Sequence, residues 1–245
     1  GLNMKAIILA AGRGSRMKNM TDDRPKCLVE LNGKTLLERQ LEALRAAGIT
    51  DIGIVTGYKH EMLQKYGLVE FHNPRWAETQ MVSSLACASD WLEKEPCIVS
   101  YSDIFYEPSA VKLLMGSDAN LAVTYDPDWL ELWTGRFGDP LLDAETFKLN
   151  KDGTLADIGN KPKTIEEVQG QYMGLLKFTP TGWGKIEYIR STMGDDDRNA
   201  IHMTGIMQIL IQQFDFAIMA NKYLGVWGEV DSEVDLNYYN GLNND

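Results

Sequence analysis

The feature that most constrains the fold is a short apolar segment that ends in a glycine-containing loop. Lys5-Ala6-Ile7-Ile8-Leu9-Ala10 runs directly into Ala11-Gly12-Arg13-Gly14-Ser15-Arg16. An unbroken apolar run of this length is typical of a strand buried in a parallel sheet. Open α/β sheets bind ligands at the carboxyl ends of their strands, where glycines let the backbone approach closely. The segment therefore predicts a first parallel strand followed by a phosphate-sized loop.

This loop departs from two common nucleotide-binding motifs. The dinucleotide fingerprint G-x-G-x-x-G/A requires a small residue where this chain has Met17. The P-loop requires lysine and then serine or threonine after its last glycine, whereas Gly14 is followed by Ser15 and Arg16. The sequence disfavours the first motif and excludes the second.

Apolar segments and helical patterns alternate through the first half of the chain. Thr35 and Glu38 match a capping box at the start of one helix, and Gly48 ends it. Strands are predicted at 5–10, 51–56, 68–72, 97–101 and 119–125, and helices at 35–47, 58–66, 80–94 and 108–115. Such alternation predicts an α/β fold with a doubly wound, mostly parallel (mixed), Rossmann-like sheet.

The pattern changes after residue 126. The predicted elements are a tryptophan-rich loop, a hairpin within 145–158, a strand at 169–179, a helix at 201–214, a strand at 216–224 and a closing segment at 226–236. The chain has no internal repeat and no long flexible linker. These patterns predict a single domain over 1–245 with a small inserted lid.

Charge and composition restrict the partners. The chain has 24 lysines and arginines against 35 aspartates and glutamates, a formal net charge of −11, which repels nucleic acid and anionic membranes. Apolar runs fall far below the roughly 18 residues of a membrane span and no secretory leader is evident, so a cytoplasmic protein is expected. The three cysteines lack a C-x-x-C spacing, which disfavours disulfides and a cysteine zinc site. An anionic ligand therefore requires a local group of donors or a metal.

Three cations flank the glycine loop, namely Arg13, Arg16 and Lys26. Arginine and lysine side chains are usually solvated surface groups. Their position beside a glycine loop at a strand end favours a polyanion site instead.

A resemblance to a known family rests on the same residues. Leu9-Ala10-Ala11-Gly12-Arg13-Gly14-Ser15-Arg16-Met17, followed by Arg24-Pro25-Lys26-Cys27-Leu28, resembles the L-A-A-G-x-G-[ST]-R-[ML]…P-K signature of the nucleotidyltransferase superfamily. Val55-Thr56-Gly57-Tyr58, Phe71-His72-Asn73 and the absence of a hexapeptide-repeat tail are similar to cytidylyltransferases that use phosphocholine or related phosphates and phosphonates. The resemblance implies Mg²⁺-dependent transfer of CMP from CTP to a small phosphorylated or phosphonate acceptor, such as phosphocholine or phosphoglutamine, with release of pyrophosphate. It also implies a place in cell-surface polysaccharide or phosphonate biosynthesis.

The resemblance assigns roles to the loop residues. The backbone of Leu9, Ala10, Ala11, Gly12, Arg13 and Gly14 is expected to bind the base and phosphates. Arg16 is expected to hold the triphosphate and Lys26 to neutralise the α-phosphate. Gln80, Ser83 and Ser84 occupy the place where the family reads the nucleobase, although helix capping is their ordinary role. The preference for cytidine is implied by the resemblance.

A triphosphate bound to an acidic protein requires magnesium, which takes one or two carboxylates with phosphate oxygens and waters. Asp103 follows a predicted strand, where turn or N-cap roles are equally common, and the family carries an aspartate there. Gly228-Glu229-Val230-Asp231-Ser232-Glu233-Val234-Asp235-Leu236 resembles the family's terminal V-D-x-x-x-D-L element. Asp103 and Asp231 are therefore the expected Mg²⁺ ligands, and Asp235 is expected to start a helix. The acidic run 195–197 is expected to be a solvated loop.

The domain is thus expected to have a nucleotide-binding part at about 4–125, an acceptor-binding lid at about 126–225 and a C-terminal metal element at about 226–245. An ionised acceptor phosphate needs no general base, so catalysis reduces to positioning and charge stabilisation by Lys26, Arg16 and Mg²⁺. His60, His72 and His202 lie in no motif, and structural or surface roles are expected for His60 and His72.

The acceptor pocket is expected in the second half of the chain. Asn160-Lys161-Pro162 occupies the place of Glu-Lys-Pro in sugar nucleotidyltransferases, so Lys161 keeps the acceptor-phosphate role and the missing glutamate argues against a sugar. Tyr172, Trp129 and Trp133 are candidates to surround a quaternary ammonium, while a core-facing helix side is the alternative for the two tryptophans. Arg136 is a candidate to bind an acceptor carboxylate, as an amino-acid phosphate would require.

Two alternatives stay open. A sugar-1-phosphate nucleotidyltransferase that uses UTP or another nucleoside triphosphate would keep the same loop and metal. A non-catalytic nucleotide-binding regulator would be expected if Asp103 or Lys26 were lost, and both are present. A monomer or homodimer is expected.

Overall fold

A computed structural model of the chain describes residues 4–242, so 1–3 and 243–245 of the predicted domain lie outside the described residues. The strands, in chain order, are β1 (Lys5–Ala10), β2 (Glu30–Leu31), β3 (Lys34–Thr35), β4 (Ile52–Thr56), β5 (Val69–His72), β6 (Cys97–Tyr101), β7 (Ile104–Tyr106), β8 (Leu121–Asp126), β9 (Phe147–Leu149), β10 (Leu155–Ile158), β11 (Gln171–Phe178), β12 (Met219–Lys222) and β13 (Trp227–Glu229). The division of the domain into nucleotide, acceptor and metal parts stays a prediction.

The α-helices are α1 (Leu36–Ala46), α2 (Met81–Ala86), α3 (Ser89–Leu92), α4 (Pro108–Met115), α5 (Trp129–Phe137), α6 (Pro180–Ser191), α7 (Asp195–Ala200), α8 (Met203–Phe214) and α9 (Glu233–Leu242). Short 3₁₀ helices occupy Ser15–Thr21, Lys26–Leu28, His60–Tyr66 and Ile165–Glu167. Within residues 4–242, no helix is long and apolar enough to cross a membrane.

A seven-stranded central sheet has the order β12-β8-β11-β6-β1-β4-β5. The pairs β12–β8, β6–β1, β1–β4 and β4–β5 are parallel, whereas β11 is antiparallel to both β6 and β8. Short antiparallel pairs, β2–β3, β7–β13 and β9–β10, lie outside this sheet. The predicted mixed, mostly parallel sheet is confirmed.

The two faces of the sheet carry separate cores because successive residues of a strand point to opposite sides. Ile8 of β1 belongs to a buried cluster with Leu41 of α1 and Val111 of α4. Its neighbour Ile7 belongs to a second cluster with Leu85 of α2 and Trp183 of α6. Helices therefore cover both faces, as the alternating sequence pattern predicted.

Several helix predictions need correction. The helix expected at 80–94 is divided into α2 and α3 with Ala88 between them, and the helix expected at 58–66 is a 3₁₀ helix. The predicted tryptophan-rich loop contains α5, whose buried side carries both Trp129 and Trp133. The i, i+4 spacing of these two residues is the helical signal, and their burial agrees with the core-facing alternative.

Helix α6 is absent from the sequence prediction because Gly182 and Gly184 have low helix propensity. Thr179 nevertheless caps it by accepting the Gly182 N–H at 3.2 Å, and Pro180 occupies its first turn. A side chain at Gly182 would collide with the Asn120 carbonyl, so the glycine is set by packing against the start of β8. The acidic run 195–197, expected as a loop, forms the first turn of the exposed helix α7.

Candidate active site

The glycine loop lies at the carboxyl edge of the sheet, directly after β1. The Ala11 carbonyl accepts the Tyr58 N–H at 3.0 Å, so the segment after β4 supports the loop. Leu9, Ala11 and Gly12 line a cavity of about 500 Å³. Ala10, which points to the opposite face, is buried in the core beneath.

Gly14 allows the loop to approach Lys26. Its φ of +70° lies in the left-handed region, and an added Cβ would stand 2.7 Å from Cδ of Lys26. The Lys26 side chain therefore passes along the loop from the 3₁₀ turn that follows Pro25. A glycine is required here both by backbone conformation and by this close approach.

A carboxylate trio, Asp103, Glu229 and Asp231, lies at the same edge. Antiparallel pairing places Glu229 of β13 opposite Ile104 of β7, and the Val230 N–H donates to the Asp103 carbonyl at 2.7 Å. One carboxylate oxygen from each member lies within 4.8 Å of the other two. Such an all-oxygen donor set suits a hard divalent cation.

Two cations face this trio. Lys26 Nζ lies 3.0 Å from Asp103 Oδ2 and 2.6 Å from Asp231 Oδ1, and Arg16 Nη1 lies 2.5 Å from Asp231 Oδ2. Burial alone would lower the pKa of Lys26, but Asp103 and Asp231 outweigh it and hold that pKa above its ordinary value. Burial opposes ionisation of Asp231, yet Lys26 and Arg16 keep the pKa of Asp231 below its ordinary value. Lys26 is thus a fixed ammonium at neutral pH.

Glu229 has the opposite electrostatic setting. Loss of hydration and the neighbouring Asp103 raise its pKa, and Arg136 partly offsets them. The trio therefore concentrates negative charge that a divalent cation would stabilise.

The remaining loop cation, Arg13, points elsewhere. Its Nη2 pairs with Asp22 at 2.7 Å, and its guanidinium lies 5.3 Å from the centre of the Tyr58 ring. Arg16 and Lys26 thus converge on Asp231, whereas Arg13 stands on the outer side of the loop beside Tyr58.

The predicted base-reading residues separate into two groups. Gln80 and Ser84 line the cavity, and Ser84 Oγ lies 3.0 Å from Nδ2 of Asn73, which donates to it. Ser83 is absent from the cavity lining and donates to the Arg198 carbonyl at 3.1 Å. Adjacent positions on α2 point in different directions, which explains the separation.

The acceptor candidates are also separated. Tyr172 and Trp133 line the cavity, and the Tyr172 hydroxyl donates to the Tyr101 hydroxyl at 3.0 Å. Trp129 is 3% exposed and donates its indole N–H to the Val168 carbonyl, which is a core position. Lys161 is exposed, two residues after the cavity-lining Gly159.

Arg136 does not lie where an acceptor carboxylate would need it. Its side chain is 0% exposed and makes two hydrogen bonds with Asp235, from Nε at 2.9 Å and from Nη2 at 2.7 Å. Asp235 lies in the first turn of α9, as predicted. Because its donors are directed to Asp235 and towards Glu229, Arg136 is a structural residue behind the carboxylate trio and not an acceptor ligand.

Three acidic residues of the site were missed by sequence reasoning: Glu229, Asp143 and Glu145. Glu229 stands two residues before Asp231, and this spacing is the one sequence signal that would have found it. Asp143 and Glu145 follow no motif. They open into the cavity, but the surrounding protein limits their hydration and raises the pKa of both. The Thr204 side chain partly offsets the rise in the pKa of Glu145, and Arg16 Nη1 lies 4.0 Å from Asp143 Oδ1.

Comparisons with known proteins show what the chain is similar to in sequence and in fold. The model of the MobA-like NTP transferase domain matches residues 6–145. The chain is 36% identical to the CTP:phosphoglutamine cytidylyltransferase of Campylobacter jejuni, over 95% of this chain and 98% of that protein. It is 43% identical to the choline-phosphate cytidylyltransferase of Streptococcus pneumoniae over 40% of this chain and 42% of that protein. The solved structure of the inositol-1-phosphate CTP transferase from T. maritima matches with a TM-score of 0.76 at 19% identity, over 98% of this chain and 96% of that one, and shows the shared fold.

Proposed function

The chain belongs to the MobA-like NTP transferase family, and on that premise we propose that it transfers CMP from CTP to a small phosphorylated acceptor carrying an ammonium group. Both sequence relatives described above are, by name, cytidylyltransferases that act on a phosphorylated acceptor. The observation that carries the proposal is that the glycine loop and Glu229 line one cavity, while Lys26 contacts Asp103 and Asp231, the other two carboxylates of the trio. The enzyme is a nucleotidyltransferase.

At the nucleotide end, the loop backbone from Leu9 to Gly14 is proposed to hold the base and phosphates. Gln80 and Ser84 are proposed to meet the pyrimidine edge, because amide and hydroxyl groups supply both donors and acceptors there. Ser83 and Arg13 lie outside the cavity lining. The Ser83 hydroxyl bonds to the Arg198 carbonyl, and the Arg13 guanidinium pairs with Asp22.

Asp103 and Asp231 are proposed to hold Mg²⁺, with Glu229 as a third ligand or as a partner to its bound water. The close spacing of the three carboxylates and their all-oxygen chemistry fit that ion. When bound, Mg²⁺ supplies charge neutralisation and polarisation of phosphate oxygens.

Lys26 and Arg16 are proposed to stabilise the charge that develops during transfer. An oxygen of the acceptor phosphate attacks the α-phosphorus of CTP, the bond to the bridging oxygen of the β-phosphate breaks, and pyrophosphate leaves. The attacking oxygen is already ionised, so proton removal is not required. Both cations are held in place by carboxylates of the trio, Lys26 by Asp103 and Arg16 by Asp231, and fixed charges of this kind act without reorganisation.

The acceptor end of the cavity favours a cation. Asp143 and Glu145 line it together with the aromatic rings of Tyr101 and Tyr172, whereas the Trp133 ring is only 2% exposed and lies under the Arg136 guanidinium, 4.8 Å from it. Carboxylates and aromatic faces attract an ammonium group. The Arg136 guanidinium is directed away from the cavity towards Asp235, so it is not placed to bind an acceptor carboxylate. Choline carries a quaternary ammonium, and glutamine carries an α-ammonium group. Lys161, exposed near Gly159, remains the candidate for the acceptor phosphate.

An acceptor screen tests this function. The protein, CTP and Mg²⁺ are incubated with phosphocholine, phosphoglutamine, 2-aminoethylphosphonate or glucose 1-phosphate, and pyrophosphate release is measured. We expect release with at least one ammonium-bearing acceptor and little with the sugar phosphate. Faster turnover of hexose 1-phosphate with UTP would support the sugar nucleotidyltransferase instead. CTP binding without metal-dependent pyrophosphate release would support the non-catalytic regulator.

A matched pair of variants tests the acceptor subsite. Glu145→Gln removes one charge from the cavity and is expected to raise the KM for the ammonium-bearing acceptor about tenfold, the size of one charged hydrogen bond, with the KM for CTP unchanged. Glu166→Gln, on the exposed 3₁₀ helix Ile165–Glu167, is the control and is expected to match the parent. Equal acceptor KM values in both variants would remove Glu145 from the subsite.

A further inference from the structure

A second group of metal-binding side chains lies outside the cavity lining, on the outermost strand of the described sheet. Glu70 and His72 are two residues apart on β5, so their side chains lie on the same face of the strand. His60 reaches that face from the 3₁₀ helix that follows β4. His60 Nδ1 lies 3.3 Å from Glu70 Oε2, and the two imidazole rings have centroids 4.0 Å apart. One ligand atom from each of the three residues lies within 4.8 Å of the other two.

A buried threonine orients this group. Thr56, fully buried on β4 and in register with His72, donates its hydroxyl proton to Glu70 Oε2 at 2.9 Å. Its oxygen lies 3.1 Å from His72 Nδ1 and is therefore free to accept a proton from that nitrogen. This tautomer leaves Nε2 of His72 with a lone pair. Histidines that ligate metals are commonly held in this way, by a hydrogen bond on the other ring nitrogen.

We propose that His60, Glu70 and His72 form a second metal site, selective for Zn²⁺ or a similar transition ion. Two imidazoles and one carboxylate are donors that zinc prefers, whereas the all-carboxylate trio suits magnesium. Three protein ligands on a partly exposed face leave the fourth position of a tetrahedral zinc to water.

The consequence of this site is local rigidity at the nucleotide end of the sheet. His60 stands two residues after Tyr58, whose N–H bonds the Ala11 carbonyl of the glycine loop. A zinc ion shared by His60 and the two β5 residues would join that supporting segment to the edge strand. Zinc therefore stabilises the folded chain, and the site is independent of the transferase reaction proposed above.

Zinc titration of the tag-free full chain tests the site. Saturating Mg²⁺ occupies the carboxylate trio, zinc binding is followed by calorimetry, and the melting temperature is recorded with and without ZnCl₂. We expect one additional zinc ion to bind and the melting temperature to rise. Failure of the parent chain to bind zinc under these conditions overturns the proposal.

Variants assign the binding to the three ligands. The double variant His60→Ala/His72→Ala is expected to bind zinc at least about tenfold more weakly and to lose the thermal shift. His202→Ala, which removes a histidine from the cavity, is expected to keep both. Thr56→Val keeps the side-chain shape, removes the orienting hydroxyl and is expected to weaken binding about tenfold. Zinc binding of parent strength in the folded double variant overturns the assignment.

Discussion

Arg136 and Asp235 form a buried pair that joins helix α5 to helix α9 through two hydrogen bonds of 2.9 and 2.7 Å. Asp235 Oδ2 also accepts the backbone N–H of Asp231 at 2.9 Å, and Arg136 Nη1 lies 3.6 Å from Glu229 Oε2. Asp235 thus positions Asp231, and Arg136 positions Glu229, so this pair contacts two members of the carboxylate trio. The pair is the support on which the proposed metal ligands depend.

Removing one partner of this pair should be costly. Arg136→Met leaves the Asp235 carboxylate buried without its cation, and we expect the free energy of unfolding to fall by about 3–5 kcal/mol. Urea denaturation followed by circular dichroism measures this. Arg45→Met, at an exposed position near the end of α1, is the control and should change stability by less than about 0.5 kcal/mol. If the free energy of unfolding of the Arg136 variant falls by less than about 1 kcal/mol, the Arg136–Asp235 pair does not support the carboxylate trio.

Lys26→Ala should abolish useful turnover. Loss of one preorganised charge at a phosphate typically lowers kcat by roughly 10²–10³, and Lys26 is the cation that contacts both Asp103 and Asp231. Pyrophosphate release is measured at saturating CTP, and circular dichroism verifies that the variant is folded. Lys94→Ala, which removes an exposed lysine paired with Asp90, should retain the parent kcat. A near-normal kcat in the Lys26 variant would contradict its assignment.

The metal ligands should be distinguishable from the other acidic residues of the chain. Asp103→Asn is expected to raise the Mg²⁺ concentration needed for half-maximal activity at least about tenfold, since even residues that only orient a ligand have effects of that size. Asp195→Asn, in the exposed acidic run of α7, should leave the Mg²⁺ dependence unchanged. Chelation by EDTA should stop the reaction of the parent and added Mg²⁺ should restore it. Identical magnesium titrations for the two variants would exclude Asp103 as a ligand.

The two glycines of the loop should respond differently to a methyl group. Gly14→Ala places a side chain in the left-handed region and against Lys26, which should cost about 1–2 kcal/mol of stability from the backbone alone. An added Cβ at Gly12 meets no atom of the described chain within 4 Å, so Gly12→Ala should keep the parent melting temperature but weaken CTP binding. Thermal denaturation and nucleotide titration separate the two effects. Equal melting temperatures for the two variants would contradict the strained-loop interpretation.

The elements predicted correctly from the sequence carry local signals. Strand β1 and its loop are contiguous, and helix α1 begins where Thr35 Oγ1 accepts the Glu38 N–H at 3.0 Å, which is the threonine half of the predicted capping box. Helix α6 carries local start signals in Thr179 and Pro180, but its two glycines obscured them, and Gly182 is set by a tertiary contact with the Asn120 carbonyl. Local sequence predicts an element well where short-range interactions decide it.

Side-chain roles that depend on distant partners were harder to predict. Arg136 was expected at the acceptor, but its partner Asp235 lies on another helix and is brought to it only by packing of α5 on α9. Glu229 enters the carboxylate trio because β13 pairs with β7, and no residue near Glu229 in the sequence indicates that pairing. His60, Glu70 and His72 likewise come together only because the 3₁₀ helix after β4 packs beside the face of β5 that carries Glu70 and His72. The sequence predicted structural or surface roles for the two histidines.

By itself the sequence determined the mixed α/β sheet, the glycine loop at the tip of β1 and the family resemblance carried by Gly12, Gly14, Arg16 and Lys26. Each of these depends on residues that are neighbours along the chain or that repeat with the period of a strand or helix. The tertiary structure decided which carboxylates meet Lys26, which way Arg136 points and what lines the acceptor end of the cavity. Those features depend on the directions of side chains from separate elements, which are set only when the sheet, the β7–β13 pair and helix α9 pack together.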